Sequence, residues 1–275
     1  RTLPEQRSNA ARSSEWKRRL RVHRDPSAPL VALYKGEAWT QARKVMQISA
    51  RHHRAQALVA SAGLGLQDPE SSHPPYAATF SPGHADTVAT ATDGGTQQWW
   101  GSLRQVDGAL TLTELPSWPI IVVLSEAYAR AMDEDLRLLG QERAGEILMV
   151  GGWRDVAGVS RLPADLALRS ALGGTAGSLL LRMAAQWLEL NPEDPVTVPS
   201  DNKAWNEWAT AHRKVERYDR TALTDPEVQQ FIANALQRQP SLSATQALRE
   251  LRTNGFACEQ KRFGNLFART KDTAA

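Results

Sequence analysis

A single cysteine, Cys258, stands in 275 residues. A lone thiol excludes an internal disulfide and a cysteine-rich zinc site, and it suits a reducing cytoplasm. No apolar run approaches the roughly 20 residues that cross a bilayer, and no signal-peptide pattern opens the chain, so no membrane is expected among its partners. The six histidines form neither H-x-H nor H-E-x-x-H. His52 and His53 are adjacent on a helical stretch and point to different sides, so no metal site is expected. No P-loop, G-x-S-x-G elbow or Rossmann fingerprint follows an apolar run. Gly63-Leu64-Gly65 lacks a third glycine and soon meets Pro69, which prevents a normal helix start, so no nucleotide or other cofactor is expected.

What is present is a chain of 41% hydrophobic and 23% charged residues, the composition of a packed soluble protein. Its net charge of +3 is unevenly spread. Residues 1–24 carry eight Lys/Arg against two Asp/Glu, residues 249–275 carry six against three, and the middle carries 19 against 25. Basic ends on an acidic middle are either solvated tails or two grips on phosphate.

Strand-like and helical stretches alternate. APLVALY (28–34) reads as a buried strand and GEAWTQARKVMQISARHHR (36–54) as a helix with a basic face. AQALVASAG (55–63) reads as a second strand. PIIVVLSEAYA (119–129) is a third, feeding a helix at 133–144, and GEILMVGG (145–152) is a fourth, followed by a long helix over about 174–190. This pattern predicts an α/β fold with a mostly parallel central sheet flanked by helices. Residues 85–118, with Trp99-Trp100, read as an inserted hairpin or long loops. The three prolines of 191–202 mark a linker. Beyond it, Trp205, Trp208, His212 and Val215 fall at helical spacing. Helices follow at 225–239, at 243–255 with a Ser243–Gln246 capping box, and at 257–271. The expected organisation is a basic N-terminal arm or helix (1–24), an α/β domain (25–190), the linker, and a small C-terminal helical module (203–275) with the rhythm of helix-turn-helix.

Two stretches carry residues capable of chemistry. In VASAGLGLQDPESSHPPYAATF (59–80), Asp68 follows a strand and is stiffened by Pro69. It either orients a water and stabilises a cationic sugar, or caps its own turn. Tyr76, presented by Pro74-Pro75, either walls a planar ligand or packs the loop. GGWRDVAGVSRLPADLALRSALGG (151–174) offers Trp153, Arg154, Arg161, Asp165 and Arg169, then Gly173-Gly174-Thr175 at a helix start. Such a start suits a phosphate, or alternatively a close helix–sheet contact. In a parallel sheet both stretches emerge on one edge and form a cleft.

These motifs also resemble a bacterial family of largely uncharacterised proteins with the patterns S-A-(K/G)-x-G-L-x-x-P…P-Y and L-P-x-D-x-x-L-(R/Q)-x-x-L-G-G-(S/T), matched here by 61–76 and 162–175. The helical end ALRELRTNGFACEQKRF (247–263) is similar too. That family is related to the uracil-DNA-glycosylase superfamily, whose water-activating loop G-Q-D-P-Y resembles Gly65-Leu66-Gln67-Asp68-Pro69. Glu70 replaces the tyrosine that guards against bulky pyrimidine substituents, and Gly151-Gly152-Trp153-Arg154 stands where H-P-S-P is usual. Both departures argue against ordinary uracil repair. A phage-defence member of the wider group removes glucosylated hydroxymethylcytosine from viral DNA, and a loop without the guarding tyrosine would suit that substrate.

The resemblance therefore implies a monofunctional glycosylase acting on double-stranded phage DNA with modified cytosine, by base flipping. Asp68 and Asp165 are its expected catalytic carboxylates. Gly65, Gln67, Glu70, Tyr76, Phe80 and His84 are the expected base pocket. Arg154, Arg161, Gly173, Gly174, Thr175, Lys261, Arg262 and Arg269 are expected on phosphates, with Trp99, Trp100 or Trp153 wedging or stacking. Neither loop holds a lysine, so no Schiff-base lyase step is expected. Asp68→Asn is expected to keep DNA binding and lose base release. The rivals are a tRNA or DNA base-exchange enzyme of the same fold and a non-catalytic DNA-binding regulator.

Overall fold

The computed structural model describes residues 8–22, 26–81, 84–88, 94–214 and 220–274. These fall into two compact units, residues 1–214 and 215–275.

The first unit is mixed α/β. Its centre is a three-stranded parallel sheet in the order β5 (Ile120–Leu124), β6 (Ile147–Gly151), β7 (Ser160–Leu162). Every residue of β6 is buried. Ile147 and Met149 join one hydrophobic cluster, and Leu148 and Val150 join another. That alternation is the period-two consequence of a pleated strand covered on both faces. On one face lie helices α5 (Glu126–Ala131) and α6 (Asp133–Glu142), contributing Ala129, Leu136 and Leu139. On the other lies α8 (Leu179–Leu190), which follows the short helix α7 (Arg169–Leu172) and contributes Leu179, Met183, Ala184 and Trp187. The long amphipathic helix α3 (Glu37–His52) packs against α8, where Ile48 meets Ala185 and Leu188.

The first part of the unit departs from the expected strand order. Of the 28–34 run only Ala28–Pro29 forms a strand (β1), and Leu30–Leu33 forms a short helix, α2. β2 (Val59–Ser61) turns back through Ala62-Gly63-Leu64 into β3 (Gly65–Gln67), an antiparallel hairpin separate from the parallel sheet. The Asp68 stretch therefore follows an antiparallel strand, and the expected common sheet edge with the 151–174 stretch is not formed. β4 (Ser72–His73) pairs antiparallel with β1, placing His73 opposite Ala28. The N-terminal helix α1 (Asn9–Val22) is no free arm along its described length, because Trp16 and Leu20 are buried in the main cluster. Residues 1–7 and 23–24 of the expected arm lie outside the described residues.

Within 85–118, the expected hairpin is replaced by helix α4 (Gly95–Ser102) and short 3-10 turns at Leu103–Gln105 and Leu112–Glu114. The expected linker also belongs to this unit. Trp187 Nε1 donates to the Pro195 carbonyl at 2.9 Å, and Asn202 caps α9 (Lys203–His212) through Trp205 N–H. Trp205 and Ala209 of α9 join the cluster of α8, so the division falls after residue 214 and not at 191–202. Val215, expected on this helix, lies outside the described residues.

The described residues of the second unit form helices α10 (Asp225–Arg238), α11 (Ala244–Thr253) and α12 (Gln260–Ala274). The strand pair β8 (Thr221–Ala222) and β9 (Phe256–Ala257) ties its start to the turn before α12. Reciprocal capping boxes start α10 at Thr224–Glu227 and α11 at Ser243–Gln246. Val228, Ile232, Leu248, Leu251, Phe263 and Phe267 form its own core.

Candidate functional site

The Asp68 corner is built by hydrogen bonds to main chain. The exposed Asp68 carboxylate accepts the Glu70 N–H at 2.8 Å, and its carbonyl accepts the Ser71 N–H at 3.0 Å and the Ser71 hydroxyl at 2.6 Å. Leu30 and Val31 N–H groups donate to the Ser71 and Pro69 carbonyls, fastening the corner to α2. Of the two sequence-based readings, the turn cap is the one these contacts display.

The same corner orients a histidine. Ser71 Oγ lies 2.9 Å from His73 Nε2. The single hydroxyl hydrogen of Ser71 is committed to the Asp68 carbonyl, which can only accept, so His73 Nε2 must be the donor to Ser71 Oγ. Neutral His73 is then the Nε2–H tautomer and Nδ1 carries the lone pair. Burial lowers the His73 pKa, and the nearby negative charge of Asp107 opposes this more weakly.

His73 lines a cavity of about 410 Å³, together with Lys17, Arg21, Leu64, Ser71 and Asp107. Lys17 and Arg21 stand one helical turn apart on α1. Burial lowers the Lys17 pKa, and the charge of Arg21 lowers it further. Lys17 Nζ donates to Gln105 Oε1 at 2.6 Å. Behind Leu64 and Asp107 sits the fully buried Gln67, whose amide nitrogen donates to both of their carbonyls at 3.0 and 3.2 Å. Its Oε1 has no partner among the described residues and faces Gly108 of the cavity wall.

At the 61–64 turn itself, Ser61, Tyr76 and Tyr34 join hydroxyls. Ser61 Oγ accepts the Gly63 and Leu64 N–H groups and lies 2.5 Å from the Tyr76 hydroxyl, which also bonds Tyr34. Gly63 is required here, since a Cβ at that position would lie 2.7 Å from the Tyr76 ring. Burial pushes the Tyr76 hydroxyl well above its ordinary pKa, and Tyr34 adds to the shift. Tyr76 is thus no free wall, because Trp16 and Tyr34 pack edge-on against it.

The other expected pocket residues disperse. Gly65 is buried at φ 80° beside Leu103. Glu70 is exposed, and His84 is exposed with Nδ1 accepting the Asp86 N–H. Phe80 is a core residue whose ring lies 4.9 Å from Tyr128. Trp99 and Trp100 are core residues as well, donating to the Ala62 carbonyl and to Asp135. A wedge must reach DNA, so that expectation is corrected for both. Trp153 is 36% exposed, but the guanidinium groups of Arg130 and Arg154 lie over its ring at 4.1 and 4.9 Å. They occupy the surface a base would stack on.

The 151–174 residues hold their own loop. Arg154 pairs with Asp133, and Arg161 donates to the Gly151 carbonyl and to Asp155. Asp165 caps the turn at Leu166–Leu168 through the Ala167 N–H and pairs with Arg213 at 2.6 Å. Asp68 and Asp165 therefore each hold a turn of their own.

The expected phosphate position at Gly173-Gly174-Thr175 receives the chain's own carboxylate. Glu37 accepts from the Thr175 hydroxyl (3.0 Å), the Ser178 hydroxyl (2.7 Å) and Arg182 (2.8 Å). These bonds, Arg182 foremost, lower the Glu37 pKa to about 2.

In the second unit, Lys261 is exposed and Arg262 pairs with Asp225 and donates to the Leu223 carbonyl. Arg220, Arg252 and Arg262 border a shallow concavity of about 420 Å³ with Cys258 and Glu259.

No family model, curated protein or solved structure matches the chain. Sequence reasoning missed His73, Asp107, the Lys17/Arg21 pair and Tyr34. The four-residue spacing of Lys17 and Arg21 was a usable signal. The partnership of Ser61 with Tyr76, both inside the quoted motif, was another.

Proposed function

We propose that this chain hydrolyses the N-glycosidic bond of a modified cytosine in DNA, the glucosylated hydroxymethyl base of phage genomes being the substrate that the motif resemblance favours. The observation that carries the reading is the cavity beside the Asp68 corner, which combines a cationic rim with a histidine and a carboxylate. Lys17 and Arg21 repel one another, and a phosphate would relieve that repulsion. The cavity lies in the size range of small-molecule sites, about 300–1,000 Å³, and its volume leaves room for a base with a substituent. The uracil-DNA-glycosylase-like fold, the DNA contacts of the helical C-terminal unit, the antiviral role and the cytoplasmic setting belong to the same proposal.

The chemistry follows from tautomer and charge. As the C1′–N bond lengthens, positive charge develops on the sugar and negative charge on the departing base. Asp107 offsets the first by its field across the cavity. A water attacks C1′, His73 Nδ1 takes its proton, and that proton passes to the departing base, leaving an abasic site and a neutral base. A neutral imidazole is required at the start, which fits its lowered pKa. Asp68 contributes indirectly, by shaping the corner that fixes Ser71 and thereby His73. The reaction as written needs no bound metal or organic cofactor.

The test is base release from duplex DNA carrying plain, hydroxymethylated or glucosylated cytosine. Release from the modified duplexes alone supports the proposal. Tight binding without product supports a DNA-binding regulator instead.

A further inference from the structure

The His73 cavity holds a nucleophile that base hydrolysis does not use. Neither the 59–80 stretch nor the 151–174 stretch contains a lysine, yet the fold brings Lys17 of α1 to the cavity wall. Its amine reaches the chain at the end of α4. Lys17 Nζ donates to Gln105 Oε1 at 2.6 Å and to the Ser102 carbonyl at 3.5 Å. Both partners are neutral acceptors, and among the described residues no carboxylate pairs with this lysine. A neutral amine has two hydrogens and one lone pair, so these two acceptors use the hydrogens and leave the lone pair free. Burial, then the charge of Arg21, lowers the Lys17 pKa and so raises the share of that neutral form. Desolvation and a neighbouring cation are two of the devices that turn a lysine into an imine-forming nucleophile.

Two further groups line the same cavity. His73 Nδ1 carries a lone pair, and the ring is neutral again once the departing base has taken its proton. Arg21 stands one helical turn from Lys17 and offers a charge to an expelled phosphate. The volume of about 410 Å³ has room for a deoxyribose that has lost its base.

We propose that Lys17 gives this cavity a second activity, cleavage of the DNA strand at the abasic site through an imine. The choice of an abasic sugar rests on the DNA-directed function proposed above. The meeting of amine, imidazole and guanidinium in one cavity does not. Lys17 Nζ attacks the C1′ aldehyde of the ring-opened sugar, its proton moves to the oxygen, and water leaves as the C1′–N imine forms. His73 Nδ1 then takes a C2′ proton, and the electrons of that bond expel the 3′ phosphate as the C3′–O bond breaks. Water hydrolyses the imine, which restores Lys17 and leaves a nicked strand.

Borohydride trapping on a duplex with a preformed abasic site tests this, because no base release is needed first. Hydride reduces the imine to a stable amine, so the wild type is expected to form a covalent protein–DNA complex on a denaturing gel. Without hydride it is expected to nick the strand. Peptide mapping of the complex is expected to place the link on Lys17. Lys17→Arg keeps the positive charge and removes the nucleophile, and is expected to lose both trapping and nicking. Should that variant lose its fold in circular dichroism, the wild-type peptide map decides alone. No covalent complex, a link on another amine, or full trapping by a folded Lys17→Arg overturns the proposal. A chain that nicks abasic DNA but frees no modified cytosine refutes the hydrolase reading alone. Base release without trapping refutes the lyase step alone.

Discussion

Asp68 shows how one residue type fits two roles that differ by a charge. Its Oδ1 accepts a main-chain N–H, a task that an asparagine oxygen performs equally well. Asp68→Asn is therefore expected to leave thermal stability and base release near wild type, and Asp68→Ala to cost about 1 kcal/mol through the lost turn bond. Thermal melts and single-turnover assays of the pair check this, and loss of base release in Asp68→Asn would return the catalytic role to Asp68. Glu37 gives a pH signature at the same scale. Its folded pKa, about 2, lies below the ordinary 4.5, so the unfolded chain binds the proton first as the pH falls. The stabilisation is complete above about 4.5 and is lost on acidification toward 2. Glu37→Gln is expected to flatten the acid limb of stability against pH in that window, as read by urea melts.

Among the elements, legibility followed burial geometry. β6 was readable because a strand covered on both faces is an unbroken apolar run closed by glycine. The capping boxes of α10 and α11 include the one expected at Ser243, because caps are local chemistry. The Leu30–Leu33 helix was not readable, since a short apolar run has no periodicity to separate helix from strand. The hairpin of β2 and β3 was not readable, because AQALVASAG is one apolar run and a Gly-x-Gly pair does not by itself announce a reversal of the chain. In the site, Asp68 was visible as a corner. The Glu37 anchor was invisible, because its partners stand more than 130 residues away in sequence. One element contact is tight enough to test directly: a Cβ on Gly140 of α6 would lie 2.2 Å from the Ala157 carbonyl. Gly140→Ala is expected to destabilise by about 1–3 kcal/mol despite its better helix propensity, because the β6–β7 connection must move. A chemical-denaturation midpoint at or above wild type would contradict that close approach.

At the scale of the molecule, the clusters that define the first unit lie wholly within residues 1–214, and the second unit has its own core. All residues of the His73 cavity belong to the first unit. A chain ending at Lys214 is therefore expected to melt cooperatively and to keep base release. Its affinity for DNA is expected to fall to the extent that Arg220, Arg252 and Arg262 hold phosphates. Salt titration of binding separates the two contributions, since each lost phosphate contact lowers the slope by about one.

The most direct measurement of the central claim is single-turnover base release from a duplex carrying glucosylated hydroxymethylcytosine, comparing wild type with His73→Ala across pH. The wild type is expected to release the base, with an acid limb below the ordinary histidine value of 6.5. His73→Ala is expected to slow release by about a hundredfold or more, the usual worth of a positioned base, while binding DNA as before. No release from any cytosine-modified duplex, or release by His73→Ala at the wild-type rate, would contradict the account.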